Sequence, residues 1–341
     1  MSAQFTAAEQ ADYDKLDAAR WMAALAVVLL HCAAFPLTSV SEYGTSDWQW
    51  ANLYDAASRW CVPVFVMISG ALLLNPEKRE AFKHFYQKRA ARIAPAIVFW
   101  TAFYLLWGGL MYRLDGVPMD AAAWLRKATG GEPYYHLWYL YMLVGLYLFA
   151  PYLRALYARC SHRQQLAAVV GIFVLAMLQT VHRELNAGGY GFFLTWFLPY
   201  ISYFVAGRMM FEGRLRLPRP GLILVLAIGV TAAGASAMST ADALNVYFYD
   251  TFSLTVPLMS LAVFQLILNA RKLPRMTAIA PLTFGVYLAH PIFLDIAKRS
   301  GVYAPTTGTA WQTPLAATAI FVLSMGFVRV LRRLPGGTRI T

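Results

Sequence analysis

Two histidines, His31 and His290, lie inside long apolar runs, where an ionisable side chain is costly to bury. His31 stands 11 residues after Arg20, which lies at the start of its run, and His290 stands at a similar distance into its own run. Eleven residues of helix rise about 16 Å, roughly half the hydrocarbon thickness of a bilayer. Since neutral imidazole can take a proton near pH 7, these positions suggest general base catalysis.

The first apolar run carries three polar residues on one helix face. At about 100° per residue, the step from Arg20 to His31 turns about 20° beyond three full turns. Asp17 precedes Arg20 by three residues and lies close to the same face. The spacing predicts a catalytic residue at His31, with Arg20 or Asp17 setting its surroundings. The alternative is a histidine that bonds a neighbouring helix for packing.

Arg89 and Arg92 are three residues apart, so they share a helix face at the start of the third apolar run. Two guanidinium groups in this position could clamp phosphate groups. The alternative is that they serve only the topology of the chain. Ser69 lies near the middle of the second apolar run and adds a hydroxyl at membrane depth.

His136, Trp138 and Tyr139 open the fourth apolar run. One interpretation is an interfacial aromatic belt, and the other is a platform that binds a sugar ring. His290 is followed by Pro291, which predicts a kinked helix at membrane depth. Broken helices at this depth normally line cavities, so His31, Ser69 and His290 could line one at the midplane. The alternative is the ordinary use of Gly, Ser and Pro in membrane helices.

The elements that must position these residues are membrane helices. Of the 341 residues, 59% are hydrophobic and 13% are charged, about half the charge of a soluble domain. Apolar runs of about 17–25 residues recur, and each can cross a bilayer as a helix. We predict an all-α polytopic membrane bundle of about ten transmembrane helices in one domain, residues 1–341. The predicted spans are 17–36, 58–75, 93–112, 136–153, 166–181, 191–210, 220–237, 250–269, 279–297 and 311–331.

Loop charge orients these spans. With the N-terminus in the cytoplasm, 22 of the 29 Lys and Arg residues fall on the cytoplasmic side, six of them in a loop within 76–92. The positive-inside rule then places both termini in the cytoplasm. It also accounts for the net charge of +12, so nucleic acid is not an expected partner. The longest outside loops are predicted at 38–57 and 113–135.

The cysteines Cys32, Cys61 and Cys160 are odd in number, and their spacing indicates neither a disulfide framework nor a metal site. We therefore predict no metal. The first apolar run is expected to stay in the protein as a span and not to be removed as a signal peptide.

Taken together, several stretches resemble the acyltransferase-3 family of bacterial inner-membrane proteins, and most of all its short single-domain members. The likeness runs in order from about residue 12 to residue 331. Its most specific part is an arginine ten residues before a histidine, followed by Arg-x-x-Arg. The matching stretches are Leu16–Arg20 with His31, Val62–Gly70, Arg89–Arg92 with Pro95, His136–Leu140, Tyr203–Gly207 and Gly285–Pro291.

The resemblance implies a multi-pass O-acyltransferase of the bacterial inner membrane. Such proteins move an acyl group, commonly acetyl from cytosolic acetyl-CoA, onto a hydroxyl of a surface polysaccharide or its lipid-linked glycan precursor. Acyl-CoA is then a substrate, and no permanently bound cofactor is expected. The implied roles are a base at His31 with Arg20 and Asp17, donor binding by Arg89, Arg92 and Ser69, and an acceptor side at His136, Trp138, Tyr139 and His290.

Other interpretations stay open at this point. Transfer could be direct or could pass through an acyl-enzyme on His31, and the acyl group could be acetyl, succinyl or another. A transporter or flippase of a lipid-linked glycan would also need midplane histidines and broken helices, but it does not explain the paired arginines. A purely structural membrane subunit is a third interpretation. The sequence leaves open whether copies of the chain form a homo-oligomer.

Overall fold

The computed structural model describes residues 7–39, 42–78, 80–117, 124–125, 127, 130–185, 195–304 and 308–341. These residues form helices and turns, and no strand occurs among them. The helices are α1 Ala7–Leu37, α2 Ser46–Ser58, α3 Cys61–Leu73, α4 Phe82–Leu114, α5 Trp138–Arg159, α6 His162–Leu185, α7 Phe197–Phe211, α8 Pro220–Met238, α9 Thr255–Asn269, α10 Thr283–Arg299 and α11 Thr309–Leu331.

Among the described residues, eight stretches of helix are long and apolar enough to cross a membrane. The prediction of an all-α polytopic membrane bundle is therefore confirmed. The two other predicted spans, 191–210 and 250–269, coincide with α7 and α9, which have 15 residues each. Residues 191–194 of the predicted sixth span lie outside the described residues, and so do residues 40–41, 79, 118–123, 126 and 128–129 of the predicted loops.

Two of the long helices begin earlier than the sequence predicts. α1 begins at Ala7 and α4 begins at Phe82. The loop predicted at 76–92 is therefore helical from Phe82 onward, and Arg89 and Arg92 stand on the second and third turns of α4. The first turns of each helix carry polar residues, so the apolar run begins later than the helix does. Hydropathy alone therefore does not reveal where the helix starts.

The outside loop predicted at 38–57 is wrong in its second half, because α2 fills residues 46–58. Thr45 begins this helix by accepting a hydrogen bond from the backbone N–H of Trp48 at 3.2 Å. The Trp48 side chain is buried and donates its indole N–H to the Leu37 carbonyl at 3.0 Å. A turn at residues 59–60 joins α2 to α3, so the second span is a broken helix.

Ion pairs sort the helix ends into two groups. Arg275 lies 3.8 Å from Asp14 at one end of the bundle, and Arg299 lies 2.8 Å from Asp115 at the other. We name the first the basic end, because it carries the residues predicted to face the cytoplasm, and the second the opposite end. Hydrogen bonding by Arg299 holds the pKa of the Asp115 carboxyl below its usual range. Both pairs agree with helices that alternate in direction along the chain.

Helices α3 and α7 cross at two glycines. A methyl group on Gly70 would overlap the Phe204 carbonyl, and one on Gly207 would overlap the Met67 carbonyl. The two backbones approach this closely because neither position carries a side chain, as is common where membrane helices pack. Ser69 stands next to this crossing, so its position in the bundle is tightly constrained.

Proline inside a membrane helix releases the carbonyl four residues earlier, because proline has no N–H to donate to it. Pro36 in α1 releases the carbonyl of Cys32 in this way. The Tyr303 hydroxyl donates to that carbonyl at 2.9 Å and also lies 3.0 Å from the Thr313 hydroxyl. Tyr303 is almost fully buried, so the hydrogen bond is protected from water.

Pro314 in α11 repeats this arrangement. It releases the carbonyl of Ala310, to which the Tyr54 hydroxyl donates at 2.5 Å. In both cases a tyrosine from elsewhere in the chain supplies the donor that the helix has lost. The requirement behind this is general, because a backbone carbonyl without a partner in lipid costs several kcal/mol.

We predict that Tyr303→Phe lowers the unfolding free energy by about 1–3 kcal/mol, because it leaves the buried Cys32 carbonyl without a donor. Adding Pro36→Ala to this variant supplies a backbone N–H at position 36 and should restore most of the loss. The measurement is the thermal unfolding midpoint in detergent. Tyr112→Phe is the control, because Tyr112 is an exposed tyrosine near the end of α4. If Pro36→Ala changed the unfolding midpoint equally in the Tyr303→Phe and the Tyr112→Phe backgrounds, Tyr303 would not be replacing the hydrogen bond that Pro36 removes.

Candidate active site

Three histidines from three different parts of the chain meet in the bundle. The rings of His31 in α1 and His290 in α10 are stacked, with centroids 5.2 Å apart and planes at 20°. The ring of His136, just before α5, lies 5.5 Å from that of His290 at 74°. We name these residues the histidine cluster. The sequence predicts His31 and His290 at one depth, and the structure brings them into contact.

The histidine cluster is mostly closed to solvent. His136 and His290 are buried, whereas His31 is half-buried and contacts the ring of the exposed Tyr135 at 4.9 Å. The Tyr287 hydroxyl donates to the His136 backbone carbonyl and ties α10 to the segment before α5. His31 is therefore the ring that a substrate can reach most easily.

Ring nitrogens in the cluster lack hydrogen-bond partners. Both nitrogens of His136 and Nε2 of His290 are buried with no partner among the described residues. Buried polar atoms are normally hydrogen-bonded, because an unpartnered group costs free energy. Atoms of this kind, gathered in one place from three elements, are what a site for a polar ligand requires.

An aspartate within the membrane holds the segment that carries His136. Asp295 in α10 accepts hydrogen bonds from the Tyr134 hydroxyl at 2.7 Å and from the Trp107 indole N–H at 2.8 Å. Tyr134 also stacks on Tyr104 with ring centroids 4.7 Å apart. α4, α10 and residues 130–137 are therefore fixed to one another beside the histidine cluster.

The charges of two cations, Arg59 and Lys298, act on His31. Arg59 stands in the turn between α2 and α3, pairs with the fully buried Asp55 and donates to the Tyr249 carbonyl at 3.1 Å. Lys298 lies over the ring of Phe35, with its Nζ 4.4 Å from the centroid. From the sequence alone both cations are only loop charges, because contacts between distant helices leave no mark in the spacing of residues.

A second group of functional candidates lies toward the basic end. Arg89 packs over the rings of Phe85 and Tyr147, with its Cζ 5.2 and 5.9 Å from the two centroids. Its Nε is buried and has no acceptor among the described residues. A guanidinium stacked between rings, with a free N–H, is well suited to bind an oxyanion.

Tyr147 in α5 is the residue around which this group is arranged. The charges of Arg89, Arg92 and Arg20 act on its phenol, and Ser69 lies close to it. The Ser69 hydroxyl itself donates to the Phe65 carbonyl at 3.0 Å. We name Arg20, Arg89 and Arg92 the arginine cluster. The three residues predicted to bind the donor, Arg89, Arg92 and Ser69, are thus brought together.

Further cations surround the arginine cluster. Burial lowers the pKa of the Lys78 ammonium, and the positive charges of Arg89 and Arg154 lower it further. Arg154 donates to the Lys78 carbonyl at 2.8 Å and lies over the ring of Phe85. Tyr147 and Arg154 are seven residues apart in α5, so they share a face of that helix. This seven-residue spacing is the sequence signal that could have identified Tyr147 and Arg154 as candidate site residues.

The structure separates Arg20 and Asp17 from His31. They pair with each other on α1, and Arg20 lies with the arginine cluster. A shared helix face keeps residues 11 positions apart in line, but about 16 Å apart along the axis. The prediction that they set the surroundings of His31 stays untested, and the charged groups that act on His31 are Arg59 and Lys298.

Aromatic rings extend from the histidine cluster toward the arginine cluster. Tyr139 lies eight residues before Tyr147 in α5 and contacts Tyr287 with ring centroids 5.5 Å apart. Tyr287 in turn contacts His136 at 5.4 Å. From Tyr139 to Tyr147 the axis of α5 rises about 12 Å. Trp138 contacts Tyr139 and Tyr200, so it lies beside this series and not against the histidines.

The described residues contain no group of three or more His, Cys, Asp or Glu side chains placed to hold a metal ion. The cysteines Cys32, Cys61 and Cys160 are free thiols, and the first two are buried.

The chain matches one protein-family model, that of the acyltransferase-3 family, described as an acyltransferase domain, over residues 13–333. No curated protein and no solved structure matches the chain. The match covers nearly the whole chain, including the histidine cluster, the arginine cluster and, from residue 13 onward, the described helices that could cross a membrane. The protein belongs to the acyltransferase-3 family and is a multi-pass membrane acyltransferase.

Proposed function

We propose that the protein transfers an acetyl group from cytosolic acetyl-CoA to a hydroxyl of a surface polysaccharide or of its lipid-linked glycan precursor, in a bacterial inner membrane. The observation that carries the proposal is the pairing of two sites in one bundle. One is a buried histidine cluster with unpartnered nitrogens, and the other is an arginine cluster at the basic end.

The chemistry of the arginine cluster supports a donor that carries phosphates. CoA is such a donor, and the free buried N–H of Arg89 requires an oxygen acceptor. Arg20, held by its ion pair with Asp17, adds a third guanidinium. A thioester must travel from this cluster to the histidines. The extended pantetheine arm of CoA is long enough to follow the aromatic series past Ser69 and Tyr139.

The half-buried ring of His31 is the proposed base. A sugar hydroxyl is a weak nucleophile, so it must lose its proton as its oxygen attacks the thioester carbonyl carbon. The proton passes to His31, the carbon–sulfur bond breaks, and CoA leaves as the thiol after taking that proton. Arg59 and Lys298, whose charges reach His31, are available to stabilise the negative charge that forms on the carbonyl oxygen.

The remaining predicted residues belong to the acceptor side of this proposal. His136 and His290 lie in the histidine cluster, and Tyr139 joins it through Tyr287. Trp138 lies further out, where a ring face could support a second sugar unit. The acceptor would enter from the opposite end, toward which Lys298 lies in the last turn of α10.

The proposal is tested with purified protein, acetyl-CoA labelled in the acetyl group and a panel of lipid-linked glycans. We expect labelled glycan and an equal amount of free CoA thiol. His31→Ala should reduce transfer about 10²- to 10⁴-fold, because it removes the base. His162→Ala is the control, since that histidine is exposed at the start of α6.

Two results would count against this proposal. If His31→Ala transferred acetyl at the full rate, His31 would not be the base, although the protein would still catalyse the proposed reaction. Movement of unmodified glycan across vesicles, with neither transfer nor CoA release for any acyl donor, would indicate a transporter instead.

The donor site is tested by direct binding of CoA. Arg89→Ala and Arg92→Ala should each weaken CoA binding about tenfold or more, because each removes a charged hydrogen-bond donor. The difference in CoA affinity between each variant and the unmodified protein should shrink at high salt, because salt screens the attraction between guanidinium groups and phosphates. Arg271→Ala is the matched control, because Arg271 is an exposed arginine of the basic end outside the arginine cluster. Unchanged CoA affinity in both cluster variants would refute the site.

A further inference from the structure

His290 is followed directly by a proline that changes its own environment. Pro291 has no N–H, so the carbonyl of Tyr287, four residues earlier in α10, has lost its helical donor. The ring nitrogen Nδ1 of His290 lies 2.8 Å from this carbonyl and 3.3 Å from the carbonyl of Val286. The histidine side chain therefore replaces the hydrogen bond that Pro291 removes.

This contact determines which ring nitrogen carries the proton. A carbonyl oxygen only accepts hydrogen bonds, so Nδ1 must be the donor and must be protonated. In the neutral ring, Nε2 then holds a lone pair and can only accept. Nε2 is the distal nitrogen, so with Nδ1 bound to the backbone of α10 it points away from that helix.

The accepting nitrogen has no partner. Nε2 of His290 is buried without a hydrogen bond among the described residues, and so are both nitrogens of the neighbouring His136. His31 is stacked on the face of the His290 ring. It therefore places no donor in the plane of the His290 ring, where the lone pair of Nε2 lies. A buried lone pair of this kind is satisfied when a ligand brings an O–H or N–H group to it.

We propose that Pro291 is a positioning residue that holds His290 as the Nδ1–H tautomer, so that His290 Nε2 accepts a hydrogen bond from a hydroxyl of the acceptor. The inference rests on the proposed function for the identity of that ligand. It also assigns a selectivity to the site. Nε2 can bind hydroxyl groups of a sugar and cannot bind the thioester carbonyl, so it distinguishes acceptor from donor next to the proposed base.

Nitrogen NMR of the full chain in nanodiscs, with ¹⁵N-labelled histidine, tests the tautomer without any need for activity. The chain has six histidines, and the signals of His290 are those that disappear in His290→Gln. We expect a protonated Nδ1 and a bare Nε2. In Pro291→Ala the new N–H competes for the Tyr287 carbonyl, so the Nε2–H tautomer should become populated.

Pro314→Ala is the matched control. Pro314 also releases a carbonyl that a side chain satisfies, but that carbonyl is bonded by Tyr54 and not by a histidine. The His290 signals should be unchanged in this variant. A protonated Nε2 in the unmodified protein, or the same tautomer in Pro291→Ala, would overturn the role of Pro291.

Ligand binding is tested in the same samples with octyl glycosides of glucose, galactose and N-acetylglucosamine as probes. At least one should shift the Nε2 signal of His290, and its fully O-methylated form should not. Pro291→Ala should weaken that binding about tenfold, the expected effect of one lost hydrogen bond. No shift with any of the three glycosides would overturn the hydroxyl contact. A shift without acetyl transfer would support this contact while contradicting the proposed reaction.

Discussion

A carbonyl released inside a membrane helix must find a donor within the protein, because lipid offers none. Much of this bundle is arranged around that constraint. Tyr303 and Tyr54 satisfy carbonyls that Pro36 and Pro314 release, and each links helices far apart in the chain. At Pro291 the donor is a histidine, so the same constraint fixes a side chain of the candidate active site.

The two clusters are built by different sets of helices. α1, α10 and the segment before α5 supply the histidines, and that segment is held by hydrogen bonds to Asp295. α1, α4 and α5 supply Arg20, the other arginines and Tyr147, and α3 adds Ser69 at its close crossing with α7. α1 contributes to both clusters, and α5 follows directly on the segment that carries His136. This geometry suits a reaction whose two substrates arrive from opposite sides of a membrane.

Helix periodicity predicted a large part of this arrangement. The all-α bundle and the positions of its apolar runs follow from length and hydropathy alone. The three-residue spacing of Arg89 and Arg92 and the equal depth of His31 and His290 follow from helix geometry. Each of these inferences concerns the geometry of one helix or the depth of a residue in the membrane. The spacing of residues along the chain is enough to predict both.

Contacts between helices could not be predicted in this way. Arg20 shares a face with His31, yet it lies with Tyr147, because the neighbouring helix decides which residues meet. Arg59 acts on His31 from a turn within a broken helix, and the sequence predicts a loop for part of that helix. Hydropathy does not reveal α2, because its buried face includes the polar residues Asn52 and Asp55.

The most direct test of the account is the structure of the protein bound to a non-hydrolysable thioether analogue of acetyl-CoA. We expect CoA phosphates in hydrogen-bonding contact with Arg89 and Arg92, a pantetheine arm that passes Ser69 and Tyr139, and the acyl end beside His31. Phosphates bound away from the arginine cluster, or an acyl end that does not reach the histidine cluster, would contradict it.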